Sequence, residues 1–134
     1  MVWKDSLSVG IELIDSEHKE LIRAVNELFD ACMHGKGRAK ISETVTFVEN
    51  YTVKHFGDEE KLQKEYKYPD YPAHHQLHQT FVNDLKSYKA QLEKDGPTVQ
   101  LVAKFNTFVS TWLIKHISVE DKKIGVYIRS IEKK

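Results

Sequence analysis

Residues 45–62 read Val-Thr-Phe-Val-Glu-Asn-Tyr-Thr-Val-Lys-His-Phe-Gly-Asp-Glu-Glu-Lys-Leu, and their spacing decides the fold class. Val45, Val48 and Leu62 recur at helical steps, and the positions between them on the same stripe are Thr52, His55 and Glu59. Four residues turn a helix by roughly 400°, so His55 and Glu59 lie only about 40° apart on the inward face. A His-Glu pair on a solvated face is common, but the flanking valines and leucine argue against that here. A buried carboxylate must be protonated, paired with a cation or bound to a metal, and no lysine or arginine is a clear partner on that stripe.

The same pattern extends outward in both directions. Ile14, Leu21, Ile22, Val25, Leu28, Phe29 and Cys32 set the stripe of a first helix, with Asp15 or Ser16 as its expected N-cap. Ile41 opens the second helix, expected over about 40–66. Leu77, Phe81, Leu85, Tyr88 and Leu92 mark a third, and Val102, Phe105, Phe108, Val109, Trp112 and Leu113 a fourth. Ile124, Tyr127, Ile128 and Ile131 predict a short C-terminal helix. The loops fall at His34-Gly35-Lys36-Gly37, Tyr68-Pro69-Asp70-Tyr71-Pro72 and Lys94-Asp95-Gly96-Pro97. Four amphipathic helices with short connections predict an all-α, up-down-up-down four-helix bundle. A single domain spanning 1–134 is expected, with an extended arm over 1–14, the bundle over about 15–118 and the C-terminal turn over about 121–131.

Composition narrows the function classes. The chain has 134 residues, 40% of them hydrophobic, and 20 Lys plus Arg balance 20 Asp plus Glu. That suits one compact domain and supplies no basic excess for nucleic acid or an anionic bilayer. With no signal-peptide core and no bilayer-length apolar run, a soluble, cytoplasmic protein is expected. Cys32 is the one cysteine, expected as a buried thiol. The unusual count is seven histidines.

Five of these histidines fall where a core helix would carry an aliphatic residue. His18 lies on the first stripe, between Ile14 and Leu21. Taken alone it reads as a packed core histidine. His74 and His78 share the face of Phe81 and Leu85, a spacing at which two imidazoles can grip one metal ion. His116 follows Val109, Trp112 and Leu113. His75 turns away from its neighbours, and His34 sits in a glycine loop; neither is given a role. Asp121 lies five residues after His116, about 140° away on a regular α-helix, so spacing alone leaves it in the charged run Glu120-Asp121-Lys122-Lys123 unless the helix widens or ends between them. Because alternate helices run in opposite directions, His18, His55, His74, His78 and His116 fall at one end of the bundle. Five imidazoles with one or two carboxylates exceed the needs of one ion. The mixed nitrogen and oxygen set excludes a cysteine-based zinc or iron–sulfur site and disfavours calcium or magnesium, leaving iron, manganese, zinc or copper.

Four stretches, Asp15-Ser-Glu-His18-Lys-Glu-Leu21, His55-Phe-Gly-Asp-Glu59, His74-His-Gln-Leu-His78 and His116-Ile-Ser-Val-Glu-Asp121, together resemble the hemerythrins. The chain is most like their single-domain bacterial type, the bacteriohemerythrins, and the resemblance covers nearly all of it. It overturns the solvated reading of Asp121. It implies two iron ions bridged by Glu59, Asp121 and an oxo or hydroxo group, with His74, His78 and His116 on one iron and His18 and His55 on the other. One position then stays open on the second iron, where dioxygen would bind reversibly. The implied function is oxygen storage, delivery or sensing, and not enzymatic. Leu21, Phe56, Leu77, Phe81, Trp112 and Leu113 are the expected pocket around bound oxygen, with Leu113 nearest by position in the family.

The main alternative is a di-iron enzyme of the oxidase, peroxidase or nitric-oxide-handling kind, or an iron store, on the same bundle. Ferritin-like oxidases use inward glutamates and ExxH pairs, and this chain has no ExxH. Nothing in the surface charge names a protein partner such as an oxygen-using enzyme, and a monomer is expected.

Overall fold

The computed structural model describes residues 3–132. Helices α1 (Glu12–Met33), α2 (Gly37–Glu65), α3 (Tyr71–Asp95) and α4 (Val99–Lys115) form the four-helix bundle, and α5 (Lys122–Glu132) follows. No strand occurs among the described residues. Helix α1 packs on α2 and α4, and α3 on the same two. The stops are chemical: Gly35 and Gly96 take φ of +71° and +75°, where a Cβ is strained. Pro72 sits in the first turn of α3. The Thr98 hydroxyl caps α4 by accepting the Leu101 N–H at 3.1 Å.

One apolar core fills the bundle away from the histidines: Ile22, Val25 and Leu28 from α1, Ile41, Val45 and Val48 from α2, Phe81 and Leu85 from α3, and Leu101, Phe105, Val109 and Leu113 from α4. A smaller cluster joins Tyr68, Ile124 and Ile128, with Ile11, Leu62, Tyr66 and Tyr127 against it. The arm crosses α5 there. Val9 is buried, and a Cβ on Gly125 would lie 1.8 Å from the Val9 carbonyl oxygen, so only glycine admits this crossing. Arg129 Nη1 donates to the same carbonyl at 2.9 Å.

Several expectations are corrected. Helix α1 starts at Glu12, and its cap residue Ile11 makes no side-chain bond. Asp15 lies in the first turn, where its carboxylate accepts the Val9 N–H at 2.8 Å and the Ser8 hydroxyl, tying down the arm. The arm is not wholly extended: Asp5–Leu7 form a 3₁₀ turn. Cys32 is exposed, and Phe29 is 50% exposed. The two line an open groove with Gly35, Gly37, Val99 and Val102, where Gly37 at the start of α2 and Gly35 in the turn before it supply no side chain to cover them. On α2, Gln63 takes the innermost position expected of Leu62, which turns toward the smaller cluster.

Candidate metal centre

Between α4 and α5 the helix widens to a π turn over His116–Asp121. Ladder bonds of the i to i+5 kind stack residues five apart, so His116 and Asp121 share the inner face that a regular α-helix would deny them. Both are buried. The chain thereby brings His18, His55, Glu59, His74, His78, His116 and Asp121 together, all buried, from α1, α2, α3 and the π turn. Two overlapping sets of four emerge: His18, His55, Glu59 and Asp121, and Glu59, His74, His78 and His116, with the donor atoms of each within 4.8 Å of one another.

Each carboxylate spans both halves. Glu59 Oε2 lies 3.1 Å from His55 Nε2 and 3.5 Å from His18 Nε2, while its Oε1 lies 3.1 Å from Nε2 of both His74 and His78. Asp121 Oδ2 lies 2.7 Å from His18 Nε2, and its Oδ1 lies 3.0 Å from Nε2 of both His74 and His116. The His74 Nε2–Glu59 Oε1 pair has hydrogen-bond geometry, but most of the other contacts are short and poorly directed. His18 Nε2, Glu59 Oε2 and both Asp121 oxygens are buried without a properly angled hydrogen-bond partner. His78 and His116 also face each other Nε2 to Nε2 at 3.2 Å. Lone pairs aimed at common points instead of at one another fit metal ions, because a hydrogen-bonded core would leave few such orphans.

Electrostatics without metal tell the same story. Burial opposes the charge of His55, yet Glu59 and Glu17 push its pKa up to about 10. His74 rises to about 9 against its own burial, through Asp121 and Glu59. Burial and Glu59 work against the Asp121 charge, but His116 and His18 bring it down to about 2. Glu59, likewise desolvated, is held well below the usual carboxylate range by His55, His116 and His18. The two buried carboxylates thus favour positive charge on the imidazoles packed around them, as they would favour a cation between them.

Two further carboxylates were not evident from the sequence. Glu17 Oε1 accepts the Nδ1–H of His55 at 2.9 Å, and Glu60 Oε2 accepts that of His78, also at 2.9 Å. Each bond fixes the tautomer that leaves the Nε2 lone pair facing the cluster. Burial opposes the Glu17 charge, but His55, Asp58 and Lys54 keep its pKa low. Glu60 also accepts from His75 Nδ1 at 2.7 Å, so His75 is not simply solvated: it is 41% exposed and stacks on Tyr71. The signal for Glu17 was present, since it falls three residues after Ile14 and four before Leu21. His34 stays exposed on its loop.

Of the six expected pocket residues, Leu21, Phe56, Phe81 and Leu113 are buried, while Leu77 and Trp112 are half-buried. Phe56 stacks on His78 at 3.8 Å and Trp112 on His116 at 4.2 Å. Among the described residues, no helix is long and apolar enough to cross a membrane.

Comparison with known proteins agrees with this geometry. Residues 9–128 match the hemerythrin HHE cation binding domain. A bacteriohemerythrin from Stenotrophomonas maltophilia (strain R551-3) is 32% identical over 130 residues, covering 97% of this chain and 82% of the relative. A myohemerythrin from Sipunculus nudus is 30% identical over 122 residues, covering 91% and 88%. A solved structure of a leucine-to-phenylalanine mutant superposes with a TM-score of 0.82 at 26% identity, over 93% of this chain and 94% of that one. A bundle that gathers five imidazoles around two shared carboxylates, and that matches these relatives over nearly its whole length, belongs to the hemerythrin family.

Proposed function

We propose that this chain holds two iron ions and binds dioxygen reversibly at that centre, for storage, delivery or sensing of oxygen. The observation that carries the reading is the division of Glu59 and Asp121, one oxygen of each toward either half of the cluster. His18 and His55 would hold one ion, and His74, His78 and His116 the other. When bound, a ferrous pair supplies the two electrons that bring dioxygen to the peroxide level and recovers them on release.

The chain's own contributions follow from its geometry. With two imidazoles against three, the His18–His55 half has the room for an added ligand. Glu17 and Glu60 hold His55 and His78 in the ligating tautomer. Leu21, Phe56, Phe81 and Leu113 keep water and its protons from the centre, which protects a reversible ligand from release as peroxide. Few anionic ligands among many neutral imidazoles stabilise high oxidation states poorly, and this favours binding over oxidation.

Metal analysis combined with optical spectra through repeated oxygenation and deoxygenation tests the reading. Two irons per chain and a spectrum that returns on each cycle without added reductant are expected. Stoichiometric zinc from iron-replete cells, or continuous oxygen consumption with an added substrate and no stable oxygenated spectrum, overturns it; the second result favours a di-iron enzyme.

A further inference from the structure

An unbroken column of aromatic rings starts on the cluster and runs along the seam of α3 and α4. The Trp112 indole lies face to face on the His116 imidazole, centroids 4.2 Å apart and planes 14° from parallel. Trp112 also packs on Phe81 at 4.2 Å. Phe81 stacks on Phe108 at 5.3 Å and 11°, and Phe108 on Tyr88 at 4.9 Å and 27°. Seven residues separate Phe81 from Tyr88 on α3, so the column carries about 10 Å along the bundle. Tyr88 is half-buried, and two shallow surface grooves share it with Phe108 and Lys104.

The rings in this column differ in chemistry. Indole and phenol side chains give up an electron far more readily than phenylalanine, so Trp112 and Tyr88 are the two stations and the phenylalanines are the packed medium between them. Among the described residues, Trp112 is the one tryptophan or tyrosine in ring contact with a histidine of the cluster. The equivalent place on His78 is taken by Phe56, which cannot serve. Core packing accounts for buried Phe81. Packing also accounts for part of Trp112, but a phenylalanine would fill the core equally well, and here a half-buried indole lies face to face on His116.

We infer that Trp112 and Tyr88 form an electron relay through which hydrogen peroxide is reduced at the centre with electrons drawn from the protein surface; the inference rests on the di-iron reading above. The step balances. One hydrogen peroxide takes up two electrons and two protons, its O–O bond breaks, and two waters leave. Trp112 gives one electron and its indole N–H proton, and Tyr88 gives one electron and its phenol proton, leaving two neutral radicals. Each radical is restored by a hydrogen atom from a small phenolic reductant that reaches the exposed edges. The relay moves oxidising equivalents away from the five ligand-type histidines, which are otherwise the nearest oxidisable groups.

The test mixes the two-iron, diferric protein with hydrogen peroxide, freezes it rapidly for electron paramagnetic resonance, and maps oxidised residues by peptide mass spectrometry. Wild type is expected to show tryptophan and tyrosine radical signals with oxidation at Trp112 and Tyr88. Trp112→Phe, which keeps a ring in the stack, should lose both signals and move the damage to the cluster histidines. Tyr88→Phe should keep the tryptophan signal and lengthen its life. Trp3→Phe, which alters the tryptophan on the arm, and metal-free wild type serve as controls: the first should match wild type and the second should show neither radical. Radical yield in Trp112→Phe equal to wild type, or an equal loss in Trp3→Phe, overturns the relay. If Trp112→Phe does not fold, wild-type peptide maps decide, and absence of oxidation at Trp112 and Tyr88 overturns it. Iron content measured on the same samples separates the two claims. Two irons without a Trp112 radical refute the relay alone, whereas a protein that takes up no iron refutes both.

Discussion

Removing the Glu17 carboxylate is a perturbation whose cost can be worked from distances and burial. Glu17 Oε1 and His55 Nδ1 are 2.9 Å apart, and the two side chains are 2% and 1% exposed, so no water stands ready to replace the acceptor. A charge-assisted hydrogen bond of this kind contributes about 1.5–3 kcal/mol, and loss of a partner strands a buried N–H. At about 1.4 kcal/mol per decade this corresponds to roughly a 10- to 150-fold loss of affinity at the His18–His55 half. That overlaps the roughly 10- to 100-fold cost found when the outer partners of ligating histidines are removed. Glu60 provides the internal comparison. Its bond to His78 Nδ1 has the same 2.9 Å length, but Glu60 is 17% exposed, so water can take its place in Glu60→Ala. Glu17→Ala should therefore weaken ferrous iron binding more than Glu60→Ala. Glu17→Gln, which keeps an acceptor oxygen without the charge, should fall between Glu17→Ala and wild type. Anaerobic competition against a chromophoric chelator measures all three. Wild-type affinity in Glu17→Ala, or a larger loss in Glu60→Ala, would refute the reasoning.

Other outcomes follow from the same geometry. Glu59→Ala should cost both irons together, while His18→Ala should weaken retention of one and speed oxidation by air; metal analysis and stopped-flow spectra distinguish them. Metal-free protein should be most stable between about pH 4.5 and 6.5. The His55 and His74 pKa values rise from 6.5 to about 10 and about 9, so their contribution is complete below pH 6.5 and lost as pH rises through 9 to 10. Asp121 falls from 3.8 to about 2, so its contribution is present above its ordinary value and lost as pH drops toward 2. A metal-free melting temperature that stays level to pH 10 contradicts this. His75→Ala should leave iron content unchanged, because His75 meets Glu60 and Tyr71 and none of the seven cluster residues; loss of iron would contradict this. Gly125→Ala forces the arm off α5 and should cost about 1–3 kcal/mol in a thermal or denaturant melt, the range for overpacking a tight contact.

Helix existence was legible because each inner stripe is long and repeats at helical steps. The five histidines and Glu59 were legible because they break those stripes with groups that cannot be buried unpartnered. Asp121 was legible only through the family resemblance and not from periodicity, since a five-residue interval has meaning only on a π turn, and no residue from Ile117 to Glu120 announces one. Glu17 and Glu60 were missed for another reason. Each adjoins a ligand-type residue in a charged stretch, and such a stretch reads as solvated until a neighbouring helix is packed over it. Phe29 and Cys32 show the converse: the stripe of α1 runs past the point where the bundle stops covering it. Periodicity reports a face, and it does not report where the opposite face ends.

The π turn and the arm crossing together impose an order on assembly. His18, His55, Glu59, His74 and His78 leave the ribosome well before His116 and Asp121, and the carboxylate that closes both halves is the last of the seven to emerge. Helix α5, which carries Gly125 and Arg129, emerges later still, and until then Val9 has its N–H bond to Asp15 but lacks the surface that meets its carbonyl. A single domain folds as a unit, so until the C-terminal elements emerge the five earlier ligand-type groups have no complete bundle to fix them. The seven ligand-type groups can therefore reach their shared geometry only once residues 116–121 have emerged, and α5, onto which the arm closes, follows directly behind them.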